Sequence, residues 1–122
     1  MDAKSEQIYE TLKQLRKERG SYLDKLIRVN RKQAELEELE ERLHRMEREK
    51  SEILAQSQEV WQGNQGRSVA HYAEDMARAH RQKVTHTMEA LQEEVELERK
   101  TIQNRLYDME SQEKRLHREL IL

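Results

Sequence analysis

Two apolar stripes approach one another along this chain and stop on either side of the segment Trp61-Gln62-Gly63-Asn64-Gln65-Gly66. The first runs Ile8, Leu12, Leu15, Tyr22, Leu26, Val29 and Leu36, with Arg19 and Gln33 on the missing beats. Alternating steps of four and three residues put all of these on one helix seam that repeats every ~3.5 residues. The seam resumes at Leu39, Leu43, Met46, Ile53 and Val60, with Lys50 and Ser57 on weak beats. Leu36 to Leu39 is a step of three where four is due, which predicts a phase slip with local overwinding. Helix formers dominate 34–48, so no break is expected there.

The second stripe reads Val69, Ala73, Met76, His80, Val84, Met88, Leu91 and Val95, then Ile102, Leu106, Met109, Leu116 and Leu120. Folding the chain back at 64–65 sets the stripes against each other. Val60 then faces Val69, Ile53 faces Met76, Met46 faces Val84 and Leu39 faces Leu91; further out, Val29 faces Ile102, Tyr22 faces Met109 and Leu15 faces Leu116. A solitary helix has no reason to be nearly palindromic in this way. The spacing therefore predicts an all-α fold, a long antiparallel two-helix coiled-coil hairpin spanning 1–122. Helix 1 is expected over about 5–61, the turn over about 62–65 and helix 2 over about 66–120. Each arm of about 55 residues would run roughly 80 Å.

The turn chemistry agrees. Two of the three glycines lie in 61–66, and Gly63 suits the left-handed residue that closes a helix. Asn64 is a natural N-cap for the next helix, with Ser68 as the later alternative. Alanines at 70, 73, 77 and 79 thin the start of the second stripe, so the backbones should approach closely near the turn. Apolar residues left off the seams, Tyr9, Ile27, Leu97, Tyr107, Ile121 and Leu122, suggest a wider face that meets further helices, as in a four-helix assembly.

Composition narrows the function classes. Apolar residues make up 34% and charged residues 39%, too little apolar volume for a thick core but enough for stripes along helices. The periodicity and the absence of Pro argue against disorder. Basic and acidic residues balance in each half, 13 against 14 in 1–60 and 10 against 11 in 61–122, so no basic stripe points to nucleic acid. No apolar run is long enough to span a membrane, and the opening residues carry no apolar stretch of a signal peptide. With no Cys there is no disulfide and no thiolate zinc site. A cytoplasmic location is expected, with export alongside a partner as the alternative.

Nothing in the chain has the pattern of a catalytic, cofactor or metal site. The five histidines, His44, His71, His80, His86 and His117, contain no i,i+4 ligand pair. His80 on a seam beat reads as a buried polar residue that sets register. The acidic cluster Glu35, Glu37, Glu38, Glu40 and Glu41 reads as a solvated helix face, with Glu38–Arg42 and Glu41–Arg45 as i,i+4 pairs. Exposed carboxylates lack the pocket that raises a pKa for acid chemistry. There is no Gly-rich phosphate loop or hydroxyl–His–Asp arrangement, so no enzyme activity is expected.

A regular heptad helix, Trp61-x-Gly63 at the bend and a second helix together resemble the WXG100 (ESAT-6-like) superfamily of small helical hairpins tied to type VII secretion in Gram-positive bacteria. In length and charge the chain is more similar to the LXG-associated α-helical proteins (the DUF3958 or Lap2-like kind). That resemblance implies binding to the N-terminal helical domain of an LXG-domain toxin, together with a second small helical hairpin protein, as a chaperone-like targeting factor. Trp61 and Gly63 would form the turn motif, and Trp61, Ile27, Leu97 and Tyr107 the partner-binding residues. The superfamily's export signal, an aromatic followed four residues on by Asp or Glu, is missing: Tyr107 is followed by Ser111, Tyr72 by Met76 and Tyr9 by Lys13. The signal would have to lie on a partner. The contrasting expectation from the stripes alone is a self-assembling coiled-coil spacer, a homodimer when alone.

Overall fold

In the computed structural model, residues 2–60 and 63–121 are described. They form two α-helices, α1 (Ala3–Val60) and α2 (Asn64–Ile121), each of 58 residues. The chain is an all-α, antiparallel two-helix coiled-coil hairpin. No helix is long and apolar enough to cross a membrane, among the described residues.

Both helix starts have identifiable causes. Asp2 precedes α1, and its Oδ1 accepts the Ser5 N–H at 2.7 Å while its carbonyl accepts the Glu6 N–H. This is N-capping by a carboxylate. The hydrogen bond from the Ser5 backbone holds the Asp2 carboxyl below its ordinary value, with the Ser5 side chain and Lys4 acting in the same direction. A depressed folded-state pKa contributes stability above the unfolded value and loses it as pH falls through the folded value. Acidification below the ordinary carboxylate range, or Asp2→Ala at neutral pH, should therefore fray the first turn alone. Faster amide exchange at Ser5 and Glu6, with no change farther along α1, is the readout.

At the other end, Gly63 has φ +106°, the left-handed region closed to most side chains. Its carbonyl accepts the Arg67 N–H at 3.0 Å, so Gly63 itself occupies the capping position. This corrects the expected N-cap at Asn64 or Ser68. Asn64 is already helical, and the Ser68 hydroxyl donates back to the Asn64 carbonyl inside the helix. The helix thus begins two residues earlier than the expected 66. Gly20 is different: it lies mid-helix, a Cβ there would meet nothing within 4 Å, and its φ is not positive. Gly20→Ala should raise the unfolding free energy by about 0.5–1 kcal/mol, seen as a higher denaturant midpoint at unchanged m-value.

The chain divides into two compact units, one of Met1–Gln33 with Glu94–Leu122 (unit 1) and one of Ala34–Glu93 (unit 2). Unit 1 holds most of the core. Of the eight buried apolar side chains among the described residues, seven lie here: Ile8, Leu12, Leu15, Val29, Val95, Ile102 and Met109. Tyr22, Leu26, Leu106, Leu116 and Leu120 are half-buried on the same seams, as the heptad spacing predicts. Arg19 fills its beat by reaching Glu113 at 2.6 Å. Lys32–Glu98 and Glu18–Arg105 bridge the helices along one flank at 3.4 and 3.0 Å. Exposed pairs of this kind contribute roughly 0–1 kcal/mol each, so burial rather than charge holds unit 1 together.

Unit 2 departs from the expectation. Its inward residues on α1 are Leu36, Glu40, Leu43, Glu47 and Leu54, all half-buried. These continue the four–three count from Ile8 without interruption, so α1 has no phase slip. Leu39, Met46, Ile53 and Val60, expected on the seam, are exposed. On α2, Gly66 and Met88 are buried, and Ala70, Ala73, Ala77, Val84 and Gln92 are half-buried; Val69, Met76, His80 and, marginally, Leu91 are exposed. His80 is therefore not a buried register-setting residue. The irregular step lies in α2, where Val84, Met88 and Gln92 follow at two successive intervals of four, the spacing of a stutter.

The unbroken count carries its own compensation. Glu40 and Glu47 lay their aliphatic stems on the seam while their carboxylates reach out of it. Glu40 accepts a hydrogen bond from Gln92 at 2.8 Å, and Glu47 pairs with Arg81 at 3.3 Å. Keeping phase also avoids the overwinding that a three-residue step would impose. Unit 2 is thereby left with Met88 as its one buried large apolar side chain among the described residues.

Candidate partner-binding surface

The register of unit 2 decides where its apolar residues point. With Glu40, Glu47 and Leu54 on one seam position (a) of the heptad, Leu39, Met46, Ile53 and Val60 each fall one residue before an a beat. That is the g flank. Val69, Met76 and Leu91 likewise precede Ala70, Ala77 and Gln92 on α2. In an antiparallel pair the g flanks of both helices lie on one side and the e flanks on the other. Ion pairs in unit 1 follow this rule, since Lys32 and Glu98, and also Glu18 and Arg105, are g residues. In unit 2 the e residues Gln58 and Glu74 hydrogen-bond across the helices.

Unit 2 therefore has two unlike sides. The e side carries Glu37, His44, Ser51 and Gln58 against Arg67, Glu74 and Arg81. A shallow recess there is lined by Glu41, His44, Glu47, Arg48, Ser51 and Arg81. Glu47 receives both Arg81 and, at 4.0 Å, Lys50, and His44 sits 3.7 Å from Glu40. This is an ion-pair network on solvated side chains. No cluster of metal-ligating groups occurs among the described residues.

The g side carries an apolar band. Met46 and Met76 are each 55% exposed, Ile53 61% and Val60 78%. The α1 row repeats every seven residues, and the α2 row answers it, Val69 level with Val60, Met76 with Ile53 and Leu91 with Leu39. Tyr72, also exposed, and Ala79 extend the α2 row at three-residue steps. Three of the pairs expected to face one another in the seam, Val60 with Val69, Ile53 with Met76 and Leu39 with Leu91, fall instead on the flank, outside the helix–helix core; of the fourth pair in unit 2, Met46 is on the flank while Val84 is half-buried on the seam. What the spacing left unrecognised was the side, not the level. Counting heptads straight through from Ile8, without letting the next Leu reset the phase, separates seam from flank.

Ile27, Leu97 and Tyr107 lie in unit 1, all well exposed. Helix geometry sets them apart. Ile27 and Tyr107 each follow a seam leucine (Leu26, Leu106) by one residue and so turn to the outer edge of their own helix. Leu97, midway between Val95 and Arg99, points directly away from the seam. The three do not form one patch, and Trp61 lies outside the described residues. Gly63 is at the turn. Comparison with protein-family models, with curated proteins and with solved structures found no match to this chain.

Proposed function

We propose that this chain is a binding protein for other helices, a chaperone-like targeting partner of the N-terminal helical domain of an LXG toxin in type VII secretion. One observation carries the binding part: an apolar band on the g side of unit 2 whose seven-residue spacing suits a partner helix lying along it. The resemblance at Trp61-x-Gly63 and the hairpin plan support the identity of the partner. Covering the band would remove apolar surface from water while the ion-paired e side stays solvated. The partner's own apolar helices would be covered at the same time, which is the chaperone-like part. With no aromatic-x-x-x-acid signal on this chain, the composite with the toxin and a second small hairpin would present the export signal, and the work would be done in the cytoplasm without catalysis or cofactor.

The test is co-expression with the helical domain of an LXG toxin and the small hairpin proteins encoded beside it, followed by light scattering. A complex of defined mass containing the toxin domain is expected, and Ile53→Glu with Met76→Glu, on the band, should weaken it. Recovery of this chain free of the toxin domain under all such pairings would overturn the reading.

A further inference from the structure

We infer that the apolar band of unit 2 is a self-association face, covered by a second copy of this chain when no other partner occupies it. The inference shares this band with the toxin reading but concerns the chain alone: a single-chain mass would overturn it and leave the toxin reading standing.

Three observations converge on a second copy. The first is area. Leu39, Met46, Ile53, Val60, Val69 and Met76, at their fractional exposures, present roughly 650 Å² of side-chain surface. Two copies would together cover at most about 1,300 Å² on these residues, which reaches the lower end of the ~1,200–2,000 Å² buried by stable interfaces.

The second is symmetry. An isologous twofold contact requires that if residue i of one copy meets residue j of the other, then j meets i. The band satisfies this because its two rows answer each other level by level: Ile53 stands across from Met76 and Val60 across from Val69. Turning one copy onto another about an axis along the hairpin lays the α1 row of each on the α2 row of its partner, apolar against apolar at those levels. A foreign partner places no such demand on the two rows.

The third is charge. Over 39–91 the only ionised residue on the g flank is Lys83. It lies within one turn of the level of Glu49, which edges the α1 row. Neither makes an ion pair among the described residues of its own chain. In the twofold arrangement each copy's Lys83 comes to the edge carrying the other's Glu49, and both pairs form at once.

Sedimentation or light scattering of the purified full chain, over ~1–100 µM, reads the outcome. A species of twice the 14.8 kDa chain mass is expected for the natural sequence, and a single-chain mass for Ile53→Glu with Met76→Glu. His86→Glu, at an exposed position midway between the inward Val84 and Met88 and so pointing away from the band, should leave the dimer unchanged. The absence of cysteine allows a second measurement that needs no disruptive variant. A mixture of Ile53→Cys and Met76→Cys chains should give a mixed disulfide under mild oxidation, in preference to either self-linked product. A single-chain mass throughout the range would overturn the inference. So would a dimer that survives the double Glu substitution, or one that links Ile53→Cys only to itself.

Discussion

Leu12→Ala should cost the folded chain roughly 2–4 kcal/mol, whereas Ile53→Ala should cost well under about 1 kcal/mol in the chain on its own. Both substitutions shorten a branched apolar residue in α1, and an uncritical heptad count gives both a place in the seam. Their surroundings differ. Leu12 is 2% exposed and packs in the unit that holds seven of the eight buried apolar side chains, so truncation removes transfer energy and leaves a void. Ile53 already meets water over most of its surface and leaves none. Denaturant unfolding monitored by circular dichroism, at a concentration low enough to keep copies apart, makes the comparison. Equal losses at the two positions would mean that the seam runs through Ile53 and that the flank assignment is wrong.

Glu40→Leu combined with Glu47→Leu should stabilise the chain, by roughly 1–3 kcal/mol. The two carboxylates stand on seam beats, where their stems already exclude water and their heads are satisfied by Gln92 and Arg81. Replacing a partly buried polar pair with apolar side chains is often neutral or favourable, provided no charge is left stranded. Arg81 lies at an exposed position and can return to solvent. The gain should appear as a higher midpoint and a larger m-value, because more surface would be buried in the folded state. If α1 carried the phase slip at Leu39, the same substitutions would add two exposed leucines and change stability by only a few tenths of a kcal/mol.

The hairpin was legible in the residues because its two determinants are local and strong. Alternating four–three steps from Ile8 to Leu36 and from Val95 to Leu120 fix two seams, and Gly63 supplies a backbone conformation that other residues adopt only under strain. The register of the turn-proximal half was not legible in the same way. There the strongest apolar residues, Leu39, Met46, Ile53 and Val60, occupy the flank, while the seam takes Glu40, Glu47, Ala70, Ala73 and Ala77. A rule that sends hydrophobes inward must misplace such a segment, since apolar residues are also free to sit on the surface. In α1 continuity of phase outweighs the burial of these residues, and the change of phase is taken up in α2 at Val84, Met88 and Gln92 instead. The candidate surface follows from that choice, and it emerges only when the seam is counted through its polar positions. Ile27, Leu97 and Tyr107 were visible as off-seam hydrophobes, but their directions depend on register and set them apart from one another.

The placement of the core has a consequence for how the chain is made. Val29 and Ile102, both nearly inaccessible, belong to segments separated by most of the sequence. At ribosomal rates of ~5–20 residues per second, roughly 4 to 15 s pass between the synthesis of the two. Until then the Ile8–Val29 stripe has been translated but has nothing to pack against. A hairpin of this plan cannot begin its main core at the start of α1 and build downward. It must hold that stripe open, in reach of any other exposed helix, until the far end of α2 arrives.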